Sequence, residues 1–354
     1  MTKKQIAFIF FSFCFLTTTH AKTKISPVEN KPIKNGTSIF YALPKNELNI
    51  KIKTIHTWHK KGPFYRYAGR FLAEDNIITE DHDFWSIKSI DIENNSIIDT
   101  TQIFQIRPSK NSIAHLITLN QKGIICSINS NEKLKGQTKE ENLFVKHNSP
   151  NFNFDKSVLG EEALIANSTA KMAELAAKQI YQIRENRILL LTGDLDFPSD
   201  SESLKILLDE MNKTEQKLLE LFIGKKIEET YTKEISFLPK SNTDEILIRF
   251  SDEIGLVAKE DLSGEPIYIK VSSTKTNLNL HPKKKEKYGF YYRFPATANI
   301  SIYNASTVFI DARYTIAQFG DILILPQTLL KNRNQIIFDE NNGQLIQIKT
   351  KQED

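Results

Sequence analysis

The sequence predicts an α+β protein in which antiparallel β modules flank a central helical hairpin. Three observations predict it. Short runs of alternating apolar residues, such as Leu48, Ile50 and Ile52, recur before residue 150 and after residue 225. Between them the apolar period lengthens to that of a helix, once over residues 166–191 and again over 199–224. Gly, Pro and Asn punctuate the outer regions at the spacing of short connected strands.

The opening residues belong to neither pattern. Lys3 and Lys4 precede an apolar run from Ile6 to Leu16, and small residues lead up to Ala21. That order is a secretory signal peptide over residues 1–21, cleaved after Ala21. The run is shorter than the roughly 20 apolar residues a membrane-spanning helix needs, and no later stretch reaches that length. The mature chain is therefore expected to be soluble, exported and periplasmic, with no transmembrane segment. Phe13 before Cys14 does not fit a lipid-attachment site. Cys126 is then the single thiol of the mature chain, so no internal disulfide is expected. Its strand-like surroundings suit a small buried filler.

Residues 22–36 are polar, carry Pro27, Pro32 and Gly36, and read as a flexible lead-in. Residues 37–150 form an N-terminal β-rich module. Its strands are expected over 38–44, on through Leu48, Ile50 and Ile52, then over 84–92, 102–106, 115–119 and 123–128, with a short helical piece over 64–72. Asn120-Gln-Lys-Gly123 suits a hairpin with glycine in the left-handed position. Residues 129–150 read as a long loop or linker.

Residues 151–224 form the helical hairpin. Ala166, Ala170, Ala173, Ala177 and Ile180 repeat at steps of four and three, which puts small residues on one seam and admits a close neighbour. Gly193 stops this helix. Ser199 and Glu202 have the spacing of a capping box for a second one. Leu204, Leu207, Leu208, Met211, Leu218 and Phe222 line its apolar face, and Gly224 ends it. Residues 225–354 form a C-terminal β-rich module. Its strands are expected over 229–238, 245–250, 266–272, 289–294, 299–303, 307–310, 313–319, 322–325, 335–338 and 344–348, with Asn341-Asn-Gly343 turning the last hairpin.

Phe40-Tyr-Ala-Leu-Pro44 and Tyr291-Tyr-Arg-Phe-Pro295 both end an aromatic strand in proline and lead into alternating isoleucines. Two readings follow: a pseudo-repeat of two β modules around the helices, or simple recurrence of one strand ending.

Lys and Arg number 47 against 43 Asp and Glu, a net charge of +4. That balance speaks against a nucleic-acid partner, which a concentrated basic face would attract. Ordinary globular composition excludes a disordered, collagen-like or disulfide-framework chain. The acidic loop with Asp194, Asp196 and Asp200 offers hard oxygen ligands to calcium, although helix-start charge explains Asp200 and Glu202 as well. Glu80, Asp81, His82 and Asp83 form a second acidic cluster, read as a solvated turn, with His56 and His59 distant in sequence. Arg184 and Arg187 are the best polar pair for gripping a carboxylate or phosphate, but are read first as cations at a helix C-terminal end, ion-paired with nearby acids. The basic loop at residues 281–287 is read as solvated. No nucleophile elbow, phosphate loop, zinc-protease helix or dinucleotide fingerprint is present, so no catalytic residue is assigned.

A set of further runs resembles one family. They are Phe40-Tyr-Ala-Leu-Pro44, Gly62-Pro-Phe-Tyr-Arg-Tyr-Ala68, Ile78-Thr-Glu-Asp81, the stretch from Ala173 to Arg187 through Leu191-Thr-Gly193, Glu215 to Phe222-Ile-Gly224, Tyr291-Tyr-Arg-Phe-Pro295 and Ala317-Gln-Phe-Gly320. Together they resemble the exported bacterial proteins grouped as domain of unknown function 4831. The resemblance spans roughly residues 37–330 and implies an envelope location and a single family architecture, with no activity, substrate or catalytic residue attached. The expectation is a non-catalytic binding or structural component of the bacterial cell envelope, with an envelope protein or glycan as partner and no cofactor unless calcium. The competing expectation is a hydrolase of envelope glycan or peptide that uses Glu80, Asp81 or Asp83 as general acid and base.

Overall fold

The computed structural model describes residues 24–27, 38–107, 117–130, 152–193, 201–273, 289–326, 329 and 334–350. The signal peptide, most of the lead-in, the bulk of the 129–150 loop, Ser199, the acidic loop with Asp194, Asp196 and Asp200, and the basic loop at 281–287 lie outside these residues. The fold is α+β, mostly antiparallel sheet, with the expected helical hairpin in its centre.

The first half carries strands β1 (Lys24–Pro27), β2 (Ile39–Lys60), β3 (His82–Arg107), β4 (Ile117–Leu119) and β5 (Ile125–Ile128). Helices α1 (Ala68–Leu72), α2 (Glu161–Leu164), α3 (Thr169–Thr192) and α4 (Ser201–Ile223) come next in number. The second half adds β6 (Lys225–Phe237), β7 (Thr243–Ser251), β8 (Gly255–Val257), β9 (Glu265–Ser273), β10 (Gly289–Tyr303), β11 (Val308–Pro326), β12 (Gln335–Phe338) and β13 (Leu345–Lys349). They make three sheets, ordered β1-β3-β2-β6, β11-β10-β9-β7-β8 and β13-β12-β5-β4. The sequence leaves open whether the two β regions make one core or two. In the structure they share two of the three sheets, since β6 extends the first and β12 joins β5 in the third.

Several strands are longer than their apolar patterns. Residues 93–101 are polar apart from Ile97 and Ile98, yet they lie inside β3 because several of their side chains find partners across the fold. Asn94 Nδ2 donates to the Thr315 carbonyl at 2.9 Å, and Asp99 accepts from the Arg293 guanidinium. Likewise β10 and β11 each run unbroken where two or three strands are expected. The interruptions are β-bulges, local register shifts that bend a strand without ending it. One falls between Ala42 and Pro44 in β2 and another between Phe294 and Ala296 in β10. Both proline endings thus occupy equivalent places, each in the leading strand of a long hairpin, with a third strand added alongside its later half. The recurrence in sequence is a recurrence in architecture.

Each hairpin contributes to two cores. Before the bulges, Tyr41, Leu43, Phe104 and Ile106 meet Phe290 and Leu325, together with Ile125, Ile128, Ile336 and Phe338 of the third sheet. After them, Leu48, Ile50 and Ile52 of β2 meet Ala298, Ile300 and Ile302 of β10 and Ile267, Ile269 and Val271 of β9. Strict alternation puts the residues of this second core on the inner faces, and each such isoleucine adds about 1.5–3 kcal/mol by leaving water.

The helices make a third core. Ala173, Ala176, Ala177 and Ile180 of α3 pack with Leu218, Leu221 and Phe222 of α4 and with Phe64, Ala68 and Leu72. Ala173, Ala177 and Ile180 lie where the seam predicts. Ala170 is exposed and Ala166 precedes the helix, because Ser168 starts it by accepting the Lys171 N–H at 3.2 Å. The apolar stripe of α4 is buried only from Glu215 onward, and Leu207 stands in solvent.

Candidate functional site

Past Ile52, β2 runs on with β3 and β6 beyond the isoleucine core. A register shift between Lys53 and Thr54 marks the change. There the side chains turn from aliphatic to aromatic and titratable. Register assigns them to faces, because directly opposed residues point the same way. His56 and Trp58 share one face with Trp85 and Asp83 of β3 and with Glu229 of β6. His59 shares the other with His82 and Phe84 of β3 and with Lys226 and Glu228 of β6.

On the first face the rings form a stack. His56 lies 3.8 Å from the Trp58 ring centroid and 4.2 Å from that of Trp85, almost parallel to the latter. Trp85 in turn rests on Gly255 of β8, where a Cβ would meet the indole at 2.9 Å. Phe152 abuts Trp58 edge-on, and Tyr231 lies against Trp85. His56 Nε2 is 2.6 Å from Asp83 Oδ2, and the Tyr231 hydroxyl donates to Glu229 at 2.8 Å. The imidazole is thus fixed in orientation by a carboxylate and in place by two indoles, the arrangement of a base held by an orienting acid.

On the second face His59 Nδ1 lies 3.0 Å from His82 Nε2. His82 Nδ1 lies 3.3 Å from the Glu80 carbonyl, which accepts its proton. Burial, then the neighbouring His82 and Lys226, hold the His59 imidazole below the ordinary histidine range. At the strand end Asp81 takes the Lys60 ammonium and the Lys61 N–H, and the Lys60 bond chiefly holds its carboxyl below the usual range. A depressed acid of that kind is a poor proton donor near neutrality.

The sequence-predicted residues fall as follows. Asp83 and His82 lie in β3 rather than in a turn, and Glu80 enters through its carbonyl. Arg184 and Arg187 converge on Glu215 of α4, with Arg184 Nε at 2.6 Å from Oε1 and Arg187 on Oε2. Burial alone would raise the Glu215 carboxyl, but the two guanidinium hydrogen bonds outweigh it and leave it below the ordinary range. Asp194, Asp196 and Asp200 lie outside the described residues. Among the described residues no group of three or more His, Cys, Asp or Glu is arranged around a common point for a metal ion.

Sequence reasoning missed His56–Asp83 and His59–His82. The signal was present but indirect: pairing β2 with β3 in antiparallel register puts residues 59 and 82 opposite each other, and residues 61–81 intervene to hide it.

A family model described as a domain of unknown function (DUF4831) matches residues 37–346, and the chain belongs to that family. No curated protein and no solved structure matches it.

Proposed function

We propose that this DUF4831 protein is exported to the cell envelope, its signal peptide removed after Ala21, and works there as a non-catalytic binding or structural component. The observation that carries the reading is the outer edge of β11. Most of its 19 residues pair with β10, residues 317–320 falling in a bulge, and they do so on one side only among the described residues. They carry just Asp311, Arg313 and Asp321 as charges and end in Ile322-Leu-Ile-Leu325. Asn94 and Asn46 already bond the Thr315 carbonyl and the Ala317 N–H, but residues 308–314 before them have no strand on their outer side among the described residues, and their row of backbone donors and acceptors is the feature to which an extended segment adds as a further strand. The edge of β6 differs: it is dense in Lys and Glu, the usual way such an edge is kept from pairing. The occupant proposed for β11 is an extended segment of another envelope protein. No helix among the described residues is long and apolar enough to cross a membrane.

The test is site-specific photo-cross-linking in the native cells from Phe309 and Ile324 of β11, with Thr232 of β6 as control. The reading expects one recurrent envelope partner, cross-linked through β11 and lost when proline replaces Arg313, whose N–H faces away from β10. A protein that returns alone and monomeric from every position overturns it. The hydrolase reading has one observation in its favour, the His56–Asp83 pair. It expects turnover of an envelope glycan or peptide that Asp83→Asn abolishes.

A further inference from the structure

We infer that His59 and His82 form a cross-strand chelate for a divalent transition metal, Cu²⁺ or Ni²⁺ before Zn²⁺. The inference is independent of the binding role proposed above. The two residues are paired across β2 and β3, so the hairpin itself sets the distance between their rings. Their nitrogens face each other at 3.0 Å. Two imidazole nitrogens at about 2.0–2.1 Å from one metal stand roughly 2.9 Å apart at a square-planar angle and about 3.3 Å apart at a tetrahedral one. The spacing therefore suits a tetragonal ion, and zinc after a small opening, once the two rings turn so that their lone pairs converge beside the line that joins the nitrogens.

The tautomer is also set. His82 Nδ1–H donates to the Glu80 carbonyl, which leaves the lone pair of Nε2 directed at His59. A backbone carbonyl on the far nitrogen is the usual outer support of a metal-bound histidine. In the absence of metal, His59 donates its Nδ1 proton to that lone pair. For the neutral pair, moving this proton to His59 Nε2 turns the hydrogen bond into two facing lone pairs, both free to ligate, without any net proton release. The site lies at the surface, as His82 is exposed, so the remaining coordination positions belong to water. Phe84 shields one side, its ring stacked on His82 and edge-on to His59. Glu228 on β6 adds negative charge near His59, and Lys226 adds positive.

The experiment is titration of the tag-free chain with Cu²⁺, Ni²⁺ and Zn²⁺ by calorimetry, alongside nitrogen-detected imidazole spectra. The expected result is one equivalent bound, tightest for Cu²⁺, with the His59 and His82 resonances moving together. His59→Gln and His82→Gln should each weaken it at least about tenfold. Both lie at the surface end of the hairpin, and an unchanged circular dichroism melt shows that each variant folds. Absence of binding, or binding that survives both variants and disappears with His115→Gln, His147→Gln or His281→Gln, overturns the inference.

Discussion

Asn46 is a single buried residue of β2 that ties β11 and the turn at Asn341 to its own strand. Its Oδ1 accepts the Ala317 N–H at 2.7 Å, its Nδ2 donates to the Asn341 carbonyl at 3.0 Å, and its own N–H and carbonyl are both bonded to the Gln318 amide. An amide that satisfies buried backbone on a second sheet leaves those groups unpaired when removed, and each costs about 1–3 kcal/mol. Asn46→Ala is expected to lose about 2–4 kcal/mol in urea unfolding, well beyond an exposed control such as Asn76→Ala. Glu215 gives the second residue-scale prediction. Its folded carboxyl is held below its unfolded value, so the stability it contributes is fully present above the unfolded range, near pH 4.5, and is lost as pH falls through the folded value. Thermal melts from pH 7 to pH 3 should show a steeper acid decline in the wild-type chain than in Glu215→Gln.

At the scale of elements, the Pro295 bulge makes a demand on its partner strand. Gly320 of β11 sits against it so closely that a Cβ would run into the Phe294 carbonyl and the Pro295 backbone. Gly320→Ala must therefore push β11 from β10, and a loss of more than 2 kcal/mol is expected, against about 1 kcal/mol for removing the α3 cap in Ser168→Ala. A drop in Tm of the same size in both variants would contradict the account. These elements also show what was legible beforehand. The helical hairpin was, because Ala173, Ala177 and Ile180 repeat locally. Continuity of β3 was not, since the partners of Asn94 and Asp99 lie some two hundred residues away. The site at the hairpin end fell in between. His56, His59, His82 and Asp83 stand out by type, but only register brings them together.

Across the whole molecule the two long hairpins are joined by one buried ion pair, Arg293 of β10 with Asp99 of β3. Both side chains are almost fully out of water, at 6% and 10% exposure. Burial lowers the Arg293 guanidinium from its usual value, and Asp99 opposes that shift. Such a pair adds little net stability over an apolar pair of equal volume, because desolvation consumes most of the attraction. Its single removal is another matter, since an uncompensated charge then stays in the core. Asp99→Ala is expected to cost about 3–5 kcal/mol, whereas the double variant Asp99→Leu with Arg293→Met should recover most of that loss. If the pair also selects how the hairpins meet, the double variant will melt near the wild-type temperature yet unfold less cooperatively. Calorimetric and van't Hoff enthalpies then diverge where the wild-type values agree. Equal enthalpies in the double variant would mean that Asn46, Tyr41 and the bulges fix the docking unaided. The Tyr41 hydroxyl favours that outcome, since it both accepts the Tyr291 N–H at 2.9 Å and donates to its carbonyl at 3.2 Å. Deciding between the two therefore needs Tyr41→Phe on the same background. If the ion pair is dispensable for docking, cooperativity falls only when the tyrosine hydroxyl is lost as well.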